Sequence, residues 1–132
     1  MADRVFRVAM SERCFRFKPD ALASHAPGKP GVYEFVTFDE KGAAGVLYVG
    51  LALDATVHDC LAAHLEGRKE PTAAQLFAAA KDVYFDYVAD ADIESIEDLK
   101  DIAGFFIGKH KPRFNHDAPS SGRYGAVSVE DA

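Results

Sequence analysis

Two runs of β-branched and aromatic residues, separated by a short glycine-containing turn, constrain this chain more than any other feature. Gly31–Phe38 (Gly-Val-Tyr-Glu-Phe-Val-Thr-Phe) and Val46–Ala52 (Val-Leu-Tyr-Val-Gly-Leu-Ala) have strand composition, and Asp39–Gly45 between them has that of a turn. The two strands are therefore expected to pair as a hairpin, with a loop longer than the tight two-residue types. Two helices should follow. One is capped by Asp54 or Thr56 and runs to about Glu66, with Val57, Cys60, Leu61, His64 and Leu65 recurring at three- and four-residue spacing. Gly67 ends it. The other, entered through Pro71 and Thr72, runs to Lys81.

Val83–Val88 reads as a third strand, and Ile93 to about Lys109 as the longest helix, stopped by Pro112. Ahead of the hairpin, Val5–Met10 and Cys14–Phe17 alternate apolar with basic residues and suggest short edge strands, with a helix over Pro19–His25. The expected fold is α+β: a small antiparallel sheet of three strands, extended if the edge strands join it, flanked by helices. Residues 1–30 form an N-terminal strand and helix extension, 31–117 the principal domain, and 118–132 a loose tail.

At 132 residues, 48% hydrophobic and 27% charged, the chain can bury a single core without staples. That composition excludes disordered, collagenous and coiled-coil classes. Cys14 and Cys60 give neither a disulfide framework nor zinc-ligand spacing. No apolar run approaches the ~20 residues of a membrane span, and the first residues lack a signal-like apolar stretch, so a cytoplasmic protein without membrane partners is expected.

The net charge of −6 argues against nonspecific coating of nucleic acid, which depends on Lys and Arg displacing counterions. The charges are unevenly distributed. Arg4, Arg7, Arg13, Arg16 and Lys18 crowd the first residues among Phe6, Phe15 and Phe17, whose alternation favours packing inward over stacking on bases. Acid gathers from Asp90 to Asp101, as expected for the first turns and solvated face of a helix. Basic residues return at Lys109, Lys111 and Arg113.

Gly31-Val32-Tyr33, Tyr48-Val49-Gly50 and Lys111-Pro112-Arg113-Phe114-Asn115 occur in that order on a strand, a strand and the end of a helix. In this the chain resembles the GIY-YIG nuclease family, whose members are usually divalent-metal-dependent DNA endonucleases. The resemblance implies that Tyr33 and Tyr48 lie beside a phosphate, one of them as a base, with Asn115 bracing the site. It also implies an arginine on the first helix and a metal-binding glutamate on the long helix.

Neither charged residue is present. Nine residues before Pro112, where the glutamate is expected, stands Ala103. The arginine position falls on His58 without a gap, or on Cys60 if a two-residue insertion aligns Cys60-Leu-Ala-Ala-His64 with the family's Arg-to-His spacing. Leu51 replaces a lysine that many members carry.

The candidate catalytic positions are thus Tyr33, Tyr48, His58, His64 and Asn115, and the candidate nucleic-acid contacts are Arg68, Lys69, Lys109, Lys111 and Arg113. His64 has a competing reading as a histidine hydrogen-bonded to backbone at the edge of the core. The leading expectation is a pseudo-nuclease that binds nucleic acid, DNA above all, with no metal site and no cofactor. Two alternatives stay open. One is an active endonuclease using Mg²⁺ or Mn²⁺, its acid supplied by Glu34, Asp82 or a second subunit. The other is a protein–protein adaptor.

Overall fold

A computed structural model describes residues 1–132. Ten elements follow in order: β1 (Arg4–Met10), β2 (Phe15–Arg16), α1 (Pro19–His25), β3 (Gly31–Phe38), β4 (Ala44–Ala52), α2 (Val57–Leu65), α3 (Ala73–Ala79), β5 (Tyr84–Ala91), α4 (Asp98–His110) and β6 (Val127–Asp131). The fold is α+β. No helix is long and apolar enough to cross a membrane.

Local chemistry sets most boundaries. Asp39 closes the hairpin turn by accepting from the backbone N–H groups of Lys41 (2.8 Å) and Ala43 (2.9 Å), and Gly42 takes the left-handed conformation (φ 82°) that the turn requires. Of the two candidate caps for α2, Thr56 performs the task, accepting from Asp59 N–H. A reciprocal capping box between Thr72 and Gln75 starts α3. Lys111, left-handed at φ 47°, ends α4 just before Pro112.

The sheet has six strands in the order β4-β3-β5-β1-β6, with β2 also on β5. The predicted hairpin pairs Tyr33 with Gly50 and Phe35 with Tyr48. β5 is the hub: one edge holds β3 at Tyr33–Val36, and the other holds β2 and then β1 in tandem. The first residues therefore belong to the sheet rather than flanking it.

Helices cover both faces, so β3 is buried at every residue from Gly31 to Val36. One layer joins Phe17, Leu22, Tyr33, Phe35, Leu61 and Leu76 beneath α1, α2 and α3. The other joins Phe6, Val8, Val32, Val49, Ile102 and Ala103 beneath α4. The N-terminal phenylalanines Phe6 and Phe17 are buried, while Arg4 pairs with Asp92 and Arg16 with Asp82.

Two expectations are corrected. Residues 118–132 are not a loose tail, because Val127–Asp131 pairs in parallel with Arg4–Val8. Nor do all the acids of the long helix face water, since Asp98 and Asp101 are buried. One correction explains the other. Asp98 accepts from Tyr124 Oη (2.7 Å), Arg123 (2.8 Å) and the backbone of Glu94 and Ser95, while Asp101 accepts from Ser121 N–H (3.0 Å). These bonds hold residues 120–124 against α4 and carry the chain to β1. They also delay the helix start to Asp98, with 93–97 folded into turns around its carboxylate.

Candidate functional site

Tyr33, Tyr48 and His64 gather on the face covered by α2. Strand pairing fixes the tyrosines on one side of the hairpin, and the ring of His64 lies 5.7 Å from that of Tyr33 and 5.4 Å from that of Tyr48. His64 is fully buried, and its Nδ1 lies 2.9 Å from the Pro71 carbonyl. A carbonyl only accepts, so Nδ1 carries the proton and Nε2 is an acceptor. Tyr33 Oη, 2.7 Å away, therefore donates to Nε2. Burial holds His64 neutral, with its pKa pushed down to about 4.

The two motif tyrosines differ in access. Tyr33 is 0% exposed, and burial drives its pKa far above the usual tyrosine range. A phosphate cannot reach it. Tyr48 is half-buried, with its pKa raised by burial and by the neighbouring Cys60 thiol, and it lines an open cleft of about 440 Å³.

Asn115 lines the same cleft and braces it: its Oδ1 accepts from Val49 N–H (2.8 Å) and its Nδ2 donates to Val49 O (3.0 Å). Glu70, Pro71, Gln75, Phe114, His116 and Asp117 complete the lining. Sequence reading named none of these six as a site residue, and had Phe114 only as a member of the closing motif. Phe114, His116 and Asp117 had a signal in their adjacency to Asn115, whereas Glu70 and Gln75 arrive from α3 and the turn before it.

His58 is not brought to the tyrosines. It lies with Pro19, Leu22 and Ala62 at the contact with α1, its side chain 41% exposed. Cys60, one turn before His64, packs against the core layer that contains Tyr33, and its thiol pKa is raised first of all by burial.

The basic candidates divide between locations. Arg68, paired with Glu66, and Lys69 occupy the turn that leads to Glu70. Arg113 sits over the Phe114 ring at 5.6 Å, and Lys111 is exposed one residue before Pro112. Lys109 instead lines a separate cavity with Glu34 and His110 on the α4 side of the sheet.

A divalent metal does not fit the tyrosine site. Ala103, at the position where the resemblance requires glutamate, is 0% exposed and packs in the apolar layer beneath α4, across the sheet from Tyr33. No group of three His, Cys, Asp or Glu side chains is placed to hold a metal ion. What the cleft offers is a half-buried phenol, two exposed carboxylates, amide side chains and an aromatic ring, a set suited to hydrogen bonding and stacking.

No protein-family model matches the chain, and no solved structure does. Among curated proteins the chain is similar to UvrABC system protein C from two strains of Halobacterium salinarum, each 36% identical over 112 residues and 83% of this chain. The chain spans 18% of the length of these relatives.

Proposed function

We propose that the chain is a GIY-YIG-fold domain that binds DNA without cutting it and acts in DNA repair, a reading supported by its motifs and by its similarity to UvrABC system protein C. The observation that carries the reading is the burial of Ala103 in an apolar layer, where the nuclease resemblance requires a metal-binding carboxylate. Phosphodiester cleavage needs a base for water and a cation for the charge developing on phosphate. Tyr33 is occupied with His64 and inaccessible, so the frame persists without its chemistry. Binding uses Tyr48 and the cleft, with Arg68, Lys69, Lys111 and Arg113 as phosphate contacts.

Fluorescence anisotropy with a labelled forked duplex tests this. Expected is measurable affinity at low salt that falls steeply as salt rises, by a log–log slope of roughly −0.9 for each phosphate contacted. Glu substitutions at Arg68 and Lys69 should weaken it. No binding at low ionic strength overturns the reading, and so does Mn²⁺-dependent nicking of supercoiled plasmid that disappears in Tyr48→Phe.

Glu70 and Asp117 favour a second reading, in which the cleft takes a basic segment of a protein partner. That reading gains if a Lys/Arg-rich peptide binds while DNA does not.

A further inference from the structure

Across the sheet from the tyrosines, Glu34 is 5% exposed and lies opposite Asp86 in the β3–β5 register. It lines a cavity of about 180 Å³ with Phe105, Phe106, Lys109, His110 and Asp131. Glu34 Oε2 is buried without a hydrogen-bond partner, and so is Asp86 Oδ1. The nearest basic group, His110 Nε2, stands 3.7 Å from Oε2, beyond hydrogen-bond reach, and burial lowers its pKa so that it favours the neutral form. Cys14 Sγ contacts the other Asp86 oxygen at 3.8 Å.

A buried polar atom left unpaired is costly and, in native folds, calls for a partner. Two carboxyls side by side do not both ionise: burial and the Asp86 charge push Glu34 up to about 9, and burial also raises Asp86. One proton shared by the pair leaves one negative charge in an apolar setting. The cavity wall adds the rings of Phe105 and Phe106, whose faces attract cations.

We propose that this cavity is a binding site for an alkylammonium group, received by Glu34 with Asp86 behind it. The ammonium donates to the free Oε2, and the shared proton leaves to solvent as the cation enters. The occupant is either a small free amine or a lysine side chain of a partner, which present the same chemistry. Charged and titratable groups face the pair from every surrounding element: Cys14 from the β1–β2 turn, Lys109 and His110 from α4, and Asp131 from β6. Lys109 opposes the ligand by like charge and Asp131 assists it. Because entry releases a proton, affinity rises with pH below the alkaline range in which the ligand itself deprotonates. The site is independent of the DNA-binding reading.

The test is a ¹H–¹⁵N titration of the whole chain with putrescine and, separately, with N-acetyl-lysine amide, at constant ionic strength against NaCl. Expected are saturable shifts at Phe105, Lys109 and His110. Their affinity falls on the order of tenfold in Glu34→Gln, as for loss of one charged hydrogen bond, and rises in Lys109→Met. Putrescine binding identifies a free amine, and binding of the lysine analogue alone identifies a partner side chain. The proposal is overturned if neither probe gives saturable shifts, if NaCl or Mg²⁺ reproduces them, or if Glu34→Gln binds like the parent. Should Glu34→Gln not fold, Lys109→Met with unchanged or weaker affinity overturns it as well.

Discussion

The ring of Tyr33 lies across Gly50, its cross-strand partner, so closely that a Cβ on Gly50 would fall inside the envelope of Cζ, Cε2 and Oη. The tyrosine of the first tripeptide and the glycine of the second are thus one structural unit. Glycine here supplies space for a ring, and no unusual backbone angle is involved.

Gly50→Ala is expected to cost about 1–3 kcal/mol through overpacking. The penalty should shrink in a Tyr33→Leu background, where the ring is gone. Urea denaturation of the four chains in a double-mutant cycle gives the coupling, expected at ~0.5–3 kcal/mol. A cycle that sums to zero would place the clash elsewhere.

Tyr33→Phe removes the donor to His64 Nε2 and leaves a buried acceptor unpaired. The expected loss is ~1–3 kcal/mol in denaturant titrations. DNA affinity should be unchanged, because Tyr33 has no exposed surface. Tyr48→Ala, altering the cleft itself, should weaken DNA binding. Equal effects of both substitutions on affinity would contradict the division of roles between the two tyrosines.

Stability should depend on pH through two groups of opposite sign. His64 has a folded pKa of about 4, below its ordinary 6.5, so its contribution is full above 6.5 and drains as pH falls toward 4. Glu34 has a folded pKa of about 9, above its ordinary 4.5, so its contribution is full below 4.5 and drains as pH rises toward 9. Each has a slope of at most about 1.4 kcal/mol per pH unit. The two oppose each other between 4.5 and 6.5, and stability peaks there. From 6.5 to 9 His64 adds no slope while Glu34 declines, with the buried Asp86 beside it acting in the same direction, so urea midpoints of Glu34→Gln should fall less steeply than those of the parent. A parallel fall in both chains would assign the slope to another group.

Asp98→Ala removes the carboxylate that receives Tyr124, Arg123 and two backbone N–H groups. Leaving those donors stranded should cost ~3–5 kcal/mol, and Asp98→Asn less. Amide exchange in Val127–Asp131 should accelerate more than exchange in β3. Uniform acceleration across the sheet would mean that the segment does not depend on this anchor.

The hairpin and the helix faces were legible because composition and period carry them: β-branched runs around a polar turn, and Val57, Cys60, Leu61 and His64 on one stripe. Ala103 was equally legible, since an alanine at a counted position needs no folding to be recognised. β6 was not. Val-Ser-Val-Glu-Asp has little strand signal of its own, and its place is set by Asp98 and Asp101 capturing residues twenty and more positions later. The acids at 90–97 looked like a helical first turn because Asp and Glu favour that place, whereas Asp98 draws the preceding backbone around itself instead. Strand alternation puts Glu34 opposite Tyr33, but nothing local says that α4 covers that second face. The cleft was half legible, with Tyr48 and Asn115 marked by motif and Glu70 and Gln75 delivered by tertiary packing alone.

Asn115 has one more consequence. β4 is an edge strand, and exposed edges recruit other chains. By offering Val49 a donor and an acceptor side by side, the Asn115 amide takes the place that a neighbouring peptide would occupy, and Phe114 N–H covers Leu47 O just before it. The sheet is thereby blunted on this side by one side chain and the backbone just before it. At its other margin, β6 ends in Glu130 and Asp131, whose like charges oppose a second copy of themselves. A residue that marks a cleavage site in the nucleases this chain resembles stands here where a neighbouring strand would otherwise pair with β4.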